Sequence, residues 1–195
     1  MNAAEPEESL ASAFRALVSL LEHLGMPYVV IGGLAQAVLG EPRLTQDVDC
    51  VIAMPKTGIE TLVEAFQAAG FSLDRDATLR QLHLTGTFGI RRGRWRIDVI
   101  VASTDFELSA FQRAQRLRLY GIEANFPTPE DLILFKLVPG REKDLLDIKT
   151  VVIRHRERLD RAYLERWAQR LSDEAEDARM WHTLRQLLKE ADATA

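Results

Sequence analysis

Asp47 and Asp49 stand one residue apart in the stretch Arg43-Leu44-Thr45-Gln46-Asp47-Val48-Asp49-Cys50-Val51-Ile52, whose pattern predicts a β-strand. Residues i and i+2 of a strand share a face, so both carboxylates converge on one small volume while Cys50 turns to the other side. Like charges that close repel, and the arrangement persists most easily with a cation between them. Hard oxygen ligands at this spacing suit Mg2+, which takes a few carboxylates, substrate phosphates and several waters.

The residues just upstream sharpen this constraint. Tyr28-Val29-Val30-Ile31 is a short apolar strand that runs into Gly32-Gly33, and Leu34-Ala35-Gln36-Ala37-Val38-Leu39 reads as a buried helix. Glycines at a strand-to-helix turn let the backbone come close to a ligand. The new helix offers unpaired N–H groups and the positive end of its dipole to a phosphate. A phosphate site is thus expected beside a metal site. A third acid, Asp98, lies in Trp95-Arg96-Ile97-Asp98-Val99-Ile100-Val101, a run that is apolar after Arg96. An unpaired charge there would be costly to bury. Taken alone it reads as an exposed or salt-bridged strand residue; taken with Asp47 and Asp49 it completes a set of three ligands.

In these segments the chain resembles the nucleotidyltransferase superfamily with a DNA polymerase β-like catalytic core. Gly32-Gly33-Leu34-Ala35 is similar to its first motif, Thr45-Gln46-Asp47-Val48-Asp49 to its paired-acid motif, and Asp98 to its third acid. Pro129-Glu130-Asp131-Leu132-Ile133-Leu134-Phe135-Lys136-Leu137 and Arg141-Glu142-Lys143-Asp144-Leu145-Leu146-Asp147 resemble elements of a branch that holds toxin-like nucleotidyltransferases of type IV toxin–antitoxin systems. The resemblance spans roughly residues 27 to 150 and rests on the order and spacing of the motifs together. One departure is Leu34, where many superfamily members carry a serine after the glycines. Backbone N–H groups would then do more of the phosphate binding.

The resemblance implies an α/β (α+β) fold: a polymerase β-like core with a mixed sheet, an N-terminal helix and a C-terminal helical region. It implies that Asp47, Asp49 and Asp98 are catalytic and hold Mg2+, with Asp98 helping to deprotonate a hydroxyl. A nucleoside triphosphate would be the substrate, cradled by Gly32 and Gly33 and neutralised by Lys136. Arg43, Thr45 and Lys143 are implied as further phosphate contacts, and Asp144 as a lesser candidate. The acceptor stays open among an RNA 3′ end (tRNA-like, as for toxin-like relatives), a protein hydroxyl and a small molecule such as an aminoglycoside. The alternatives are a pseudoenzyme that binds nucleotide without transferring it and an interaction partner in a toxin–antitoxin pair, bound to a cognate antitoxin protein.

Several of these residues also have ordinary readings. The helix around Lys136 is apolar nearly all round and should be buried, with Thr128 as N-cap, Pro129 at its first position and Asp131 three residues after the cap. Its lysine either snorkels to the surface or enters the site. Lys143 and Asp147 are four apart and suit a surface ion pair worth about 0.3 kcal/mol. Arg43 and Thr45 are strand-edge residues by default. Arg91, Arg92, Arg94 and Arg96 crowd one hairpin, which reads either as a solvated strand face or as a stripe that guides an RNA strand. His83 and Trp95 read as structural strand residues.

The remaining chain supports one compact unit, divided as residues 1–140 for the core with its N-terminal helix and 141–195 for a helical region packed on it. Leu10, Phe14, Leu17, Val18 and Leu21 recur at helical spacing, and 57–69 reads as a helix ended by Gly70. Residues 79–84, 87–91 and 94–101 read as extended, the last two as a hairpin about Gly93; 117–120 and 122–126 read as edge strands around Gly121. Leu159, Tyr163, Trp167 and Leu171 form one helical stripe, and Trp181, Leu184 and Leu188 another, with the last six residues expected to fray. A net charge of −4 argues against wholesale nucleic-acid binding. A single cysteine, Cys50, allows no internal disulfide and reads as a small core residue, and with four scattered histidines no zinc spacing appears. No apolar stretch is long enough to span a bilayer, and the acidic start is unlike a signal peptide, so a cytoplasmic protein with no membrane partner is expected.

Overall fold

A computed structural model describes residues 9–55 and 58–193. Its centre is a four-stranded mixed sheet in the order β1-β2-β4-β3, formed by β1 (Tyr28–Ile31), β2 (Asp47–Ile52), β3 (Thr87–Arg92) and β4 (Trp95–Val101). Strand β1 runs antiparallel to β2, β2 parallel to β4, and β3 antiparallel to β4. The period-2 alternation gives the sheet two unlike faces. Tyr28, Val30, Val48, Cys50, Ile52, Ile97, Val99 and Val101 join the main core. On the other face Val29, Ile31, Val51 and Ala102 form a small apolar patch under Ile100, Phe111, Ala114 and Phe135. The acids Asp47, Asp49 and Asp98 continue that second face beyond the patch.

Helix α1 (Leu10–His23) is capped by Ser9, whose hydroxyl accepts from the Ser12 N–H, and buries Phe14, Leu17, Val18 and Leu21. Helix α2 (Gly32–Leu39) follows β1 directly, and α3 (Ile59–Ala68), α4 (Arg75–Thr85) and strand β3 together form the connection between the parallel strands β2 and β4. The expected helix at 57–69 is present over its described part; Thr57 lies outside the described residues. Phe66 sits edge-on to Phe71 and Phe88 at centroid distances of 5.4 and 5.9 Å, which anchors α3 beneath the sheet.

The stretch expected to be extended at 79–84 is instead part of α4. Asp74 caps its start, its carboxylate accepting from the Ala77 N–H at 2.9 Å, and Gly86 ends it in the left-handed region at φ 67°. His83 is accordingly an exposed helical residue, not a strand residue. Residues 115–126 also differ from expectation. Strands β5 (Gln115–Leu119) and β6 (Ile122–Phe126) pair with each other in a separate antiparallel sheet and do not extend the main one.

Helix α5 (Asp105–Arg113) begins with a full capping box between Thr104 and Glu107. Helices α6 (Pro129–Leu137), α7 (Glu142–His155), α8 (Arg161–Glu174) and α9 (Arg179–Ala193) pack together beside the site face. Of the six residues expected to fray, 190–193 belong to α9, with Ala191 buried and Glu190 and Asp192 paired to Lys149 and Arg161; Thr194 and Ala195 lie outside the described residues. Arg113 ties α5 to α6 and α8, donating to Asp131 at 3.2 Å and Glu130 at 3.2 Å while its guanidinium lies 3.9 Å from the Tyr163 ring centre. This network fixes the start of α6, whose far end carries Lys136. Among the described residues no helix is long and apolar enough to cross a membrane.

Candidate active site

Register brings the three acids together. Asp47 and Asp49 share a face of β2, and the parallel pairing of β2 with β4 sets Asp98 beside Asp49 and Arg96 beside Asp47. Carboxylate oxygens of all three acids lie within 4.8 Å of one another. The cluster is part-buried. Thr45 donates its hydroxyl to Asp47 Oδ1 at 2.7 Å, and Arg96 Nε donates to Asp98 Oδ1 at 2.8 Å. Asp49 is the most strained electrostatically: burial, then the Asp47 and Asp98 carboxylates, push its pKa up to about 6, against the opposing pull of Lys136 and Arg141.

A cation would relieve that repulsion, and the donor set fits Mg2+: hard carboxylate oxygens only, on one side of an open cleft. The backbone leaves room on the same side. Gly32, at φ 63°, lies so close to Asp49 that a Cβ there would fall 1.9 Å from Oδ2. Gly33 is similarly packed on Thr45, with a Cβ falling 2.4 Å from its Oγ1. The two glycines thus let β1 turn into α2 in contact with the acid strand. Ile31, the residue before α2, gives no side-chain cap, and Gly32, the first residue of the helix, lies against Asp49.

Cations face the acids from α6 and α7. Lys136 is 4% exposed and does not snorkel to the surface; its Nζ donates to Asp147 at 2.6 Å and lies 4.0 Å from Asp144. Arg43 holds Asp147 from outside through Nε and Nη2, and Arg141 Nε donates to Asp144 at 2.6 Å. Each buried carboxylate of α7 therefore holds a cation in place, which stops an ammonium buried this deeply from being left unpaired. Gln36 joins α2 to the same helix, donating to Thr150 Oγ1 at 2.8 Å.

Two clefts open from the triad. The first, about 390 Å³, is lined by Asp49, Gly32, Lys136, Arg141 and the aromatic side chains Phe106 and Phe135, among others. The second, about 600 Å³, is lined by Gln46, Asp47, Arg91, Arg94, Trp95 and Arg96.

Of the residues singled out in the sequence, Asp47, Asp49, Asp98, Gly32, Gly33, Thr45 and Lys136 converge here. Arg43 reaches the edge of the group through Asp147. Lys143 does not: it is exposed, lines neither cleft, and makes no ion pair among the described residues, since Asp147 is taken by Lys136 and Arg43. Sequence reasoning passed over Arg141 as a separate site residue, and over Thr104, Phe106 and Glu107 on the wall of the first cleft. The Thr104-x-x-Glu107 capping box was the available signal for the last group.

Comparisons with known proteins bear on the family and the fold. No curated protein sequence matches the chain. Among solved structures, the lincosamide antibiotic adenylyltransferase LnuA, lincomycin-bound, superposes with a TM-score of 0.51 at 14% identity, over 73% of this chain and 96% of that one. The antibiotic-resistance factor ANT(2'')-Ia superposes with a TM-score of 0.50 at 14% identity, over 93% and 91%. At such identities the likeness is one of fold. A family model, nucleotidyltransferase of unknown function (DUF6036), matches residues 8–192. With the match running through nearly the whole chain, this protein belongs to that nucleotidyltransferase family.

Proposed function

We propose that the protein transfers a nucleoside monophosphate from a nucleoside triphosphate to a hydroxyl acceptor, with release of pyrophosphate and a requirement for Mg2+. The observation that carries this reading is the triad itself: three carboxylates from two adjacent strands within 4.8 Å, beside a glycine turn and a buried lysine. Asp47, Asp49 and Asp98 would hold the metal, which when bound shields phosphate charge and lowers the pKa of the attacking hydroxyl.

The chain's own groups account for the rest. The N–H groups at the start of α2 and the ammonium of Lys136 bind the triphosphate on the side of the first cleft, with Arg141 beside them. Asp144 and Asp147 hold Lys136 and Arg141 in position before substrate arrives, so little ordering remains to be done on binding. Asp98 takes the proton from the acceptor hydroxyl. Its Oδ1 is occupied by Arg96, which leaves Oδ2 to receive it. The acceptor oxygen forms a bond to the α-phosphorus as the bond to the β-phosphate oxygen breaks, and pyrophosphate leaves.

The test is transfer of label from each α-labelled nucleoside triphosphate, with Mg2+, into RNA, protein and small-molecule acceptors, alongside Asp47→Ala/Asp49→Ala. Label and pyrophosphate should appear together in the wild type and be absent in the variant. Equal labelling by a folded double variant would refute the reading.

A further inference from the structure

We propose that the second cleft is the acceptor site, and that the acceptor is a nucleotide end whose phosphate is gripped by Arg91 and Arg94 while its base stacks at Trp95; this rests on the transfer reading above. The two clefts meet the triad at different acids, Asp49 lining one and Asp47 the other. The cleft with Gly32, Lys136 and Arg141 has the groups to hold a triphosphate. An acceptor hydroxyl must approach the α-phosphate from the opposite side to the leaving pyrophosphate, and the arginine cleft at Asp47 is an opening onto the triad separate from the one that carries those groups.

Its chemistry selects the acceptor. Most arginines close to it in sequence are spent on structure: Arg113 on Asp131 and Glu130, Arg116 on Glu22, Arg118 on Glu123. Arg96 is bound to Asp98. Arg91 and Arg94 differ. Both are exposed, and among the described residues neither has a carboxylate partner, although the chain carries 29 acids against 25 lysines and arginines. Arg91 Nη1 instead donates to the Arg94 carbonyl at 3.3 Å, which holds it against the hairpin turn. The Arg94 guanidinium lies 4.7 Å from the Trp95 ring centre.

Two guanidiniums without an acid partner among the described residues, beside an indole, form a site for phosphate next to a flat ring. A cationic acceptor would be repelled from this cleft. The hydroxyl of a ribose or deoxyribose end, held by its own phosphate, would sit next to Asp47 and reach Asp98. The same chemistry could come from a single-stranded RNA or DNA 3′ end or from a free nucleoside monophosphate, and the experiment separates these.

Fluorescence anisotropy of short single-stranded RNA and DNA, with unlabelled nucleoside monophosphate as competitor, is measured on the full chain. The wild type is set beside Arg91→Ala/Arg94→Ala, the charge-keeping Arg91→Lys/Arg94→Lys, and Arg15→Ala/Arg158→Ala, which removes two exposed charges elsewhere. Calorimetric binding of Mg2+ and ATP is followed in parallel. The expected result is at least about tenfold weaker oligonucleotide binding in the alanine pair, with the salt slope reduced by about two. The distant pair should stay within about twofold of wild type, and the lysine pair should recover most of the loss. Preference for RNA or DNA, or displacement of both by the monophosphate, names the source.

Equal weakening in the two alanine pairs, or a wild type that binds neither oligonucleotide nor monophosphate, overturns the inference. If Mg2+-ATP binding then remains and depends on Asp47 and Asp49, the transfer reading stands alone. If that binding is absent as well, both fall.

Discussion

Asp49→Asn should make the metal-free protein more stable, although it removes a site residue. An ordinary aspartate titrates near 3.8, whereas Asp49 is pushed up to about 6 by burial and by two neighbouring carboxylates. Below about pH 4 it is protonated folded and unfolded, and costs nothing. Between about pH 4 and 6 only the folded state keeps the proton, so stability falls as pH rises; above that window the loss is constant. Two pH units correspond to about 3 kcal/mol, and residual solvent access reduces this to about 1–2 kcal/mol. An asparagine amide carries no charge and can donate to Asp47 or Asp98. At about pH 7.5 the variant should melt roughly 2–6 °C higher than wild type without metal, a gain that vanishes near pH 4. Saturating Mg2+ should raise the wild-type melting temperature and leave the variant nearly unchanged. Thermal scans by circular dichroism at both pH values, with and without Mg2+, provide the assay. A variant no more stable than wild type at neutral pH without metal would refute the electrostatic reasoning.

Further outcomes follow from the same geometry. Gly32→Ala forces a Cβ to within 1.9 Å of Asp49 Oδ2 at φ 63°, so it should cost about 1–2 kcal/mol of strain and abolish Mg2+-dependent nucleotide binding, read by denaturant melts and calorimetry. Lys136→Met leaves Asp144 and Asp147 short of a cation; with Arg43 and Arg141 still in place, the loss should be about 3 kcal/mol in urea unfolding, together with weaker nucleotide binding. Arg96→Ala removes a cation from Asp98 and should lower metal-free stability by roughly 0.5–1 kcal/mol, a deficit that added Mg2+ closes in the same melts.

The unit from β1 to β2 was legible because three independent signals coincide there: an apolar strand, a glycine pair and acids at period two. The β3–β4 hairpin was legible for the same kind of reason, with Gly93 between two alternating runs. Helix α4 was not. Leu79-Arg80-Gln81-Leu82-His83-Leu84 alternates enough to imitate a strand, but Leu84 is 84% exposed and the buried residues, Thr78 and Leu82, are four apart. The Asp74 cap and Gly86 stop outweighed the alternation. Strands β5 and β6 were readable as strands, but their partner depends on contacts distant in sequence, which no local pattern encodes.

At the site, spacing could pair Asp47 with Asp49 but could not supply Asp98, whose place depends on the β2–β4 register. Local spacing likewise offered Lys143 to Asp147 four residues on. The fold gives Asp147 to Lys136 instead, because α6 and α7 pack so that two buried charges neutralise each other.

Nucleotide transfer as proposed requires a metal held by Asp47, Asp49 and Asp98. Crystals of the full chain grown with Mn2+ and a non-hydrolysable nucleoside triphosphate, measured at the manganese absorption edge, test it most directly. The expected result is an anomalous peak in coordinating contact with all three carboxylates and a triphosphate lying along α2 toward Lys136. A triphosphate bound with the triad empty of manganese, or a metal held elsewhere, would contradict it.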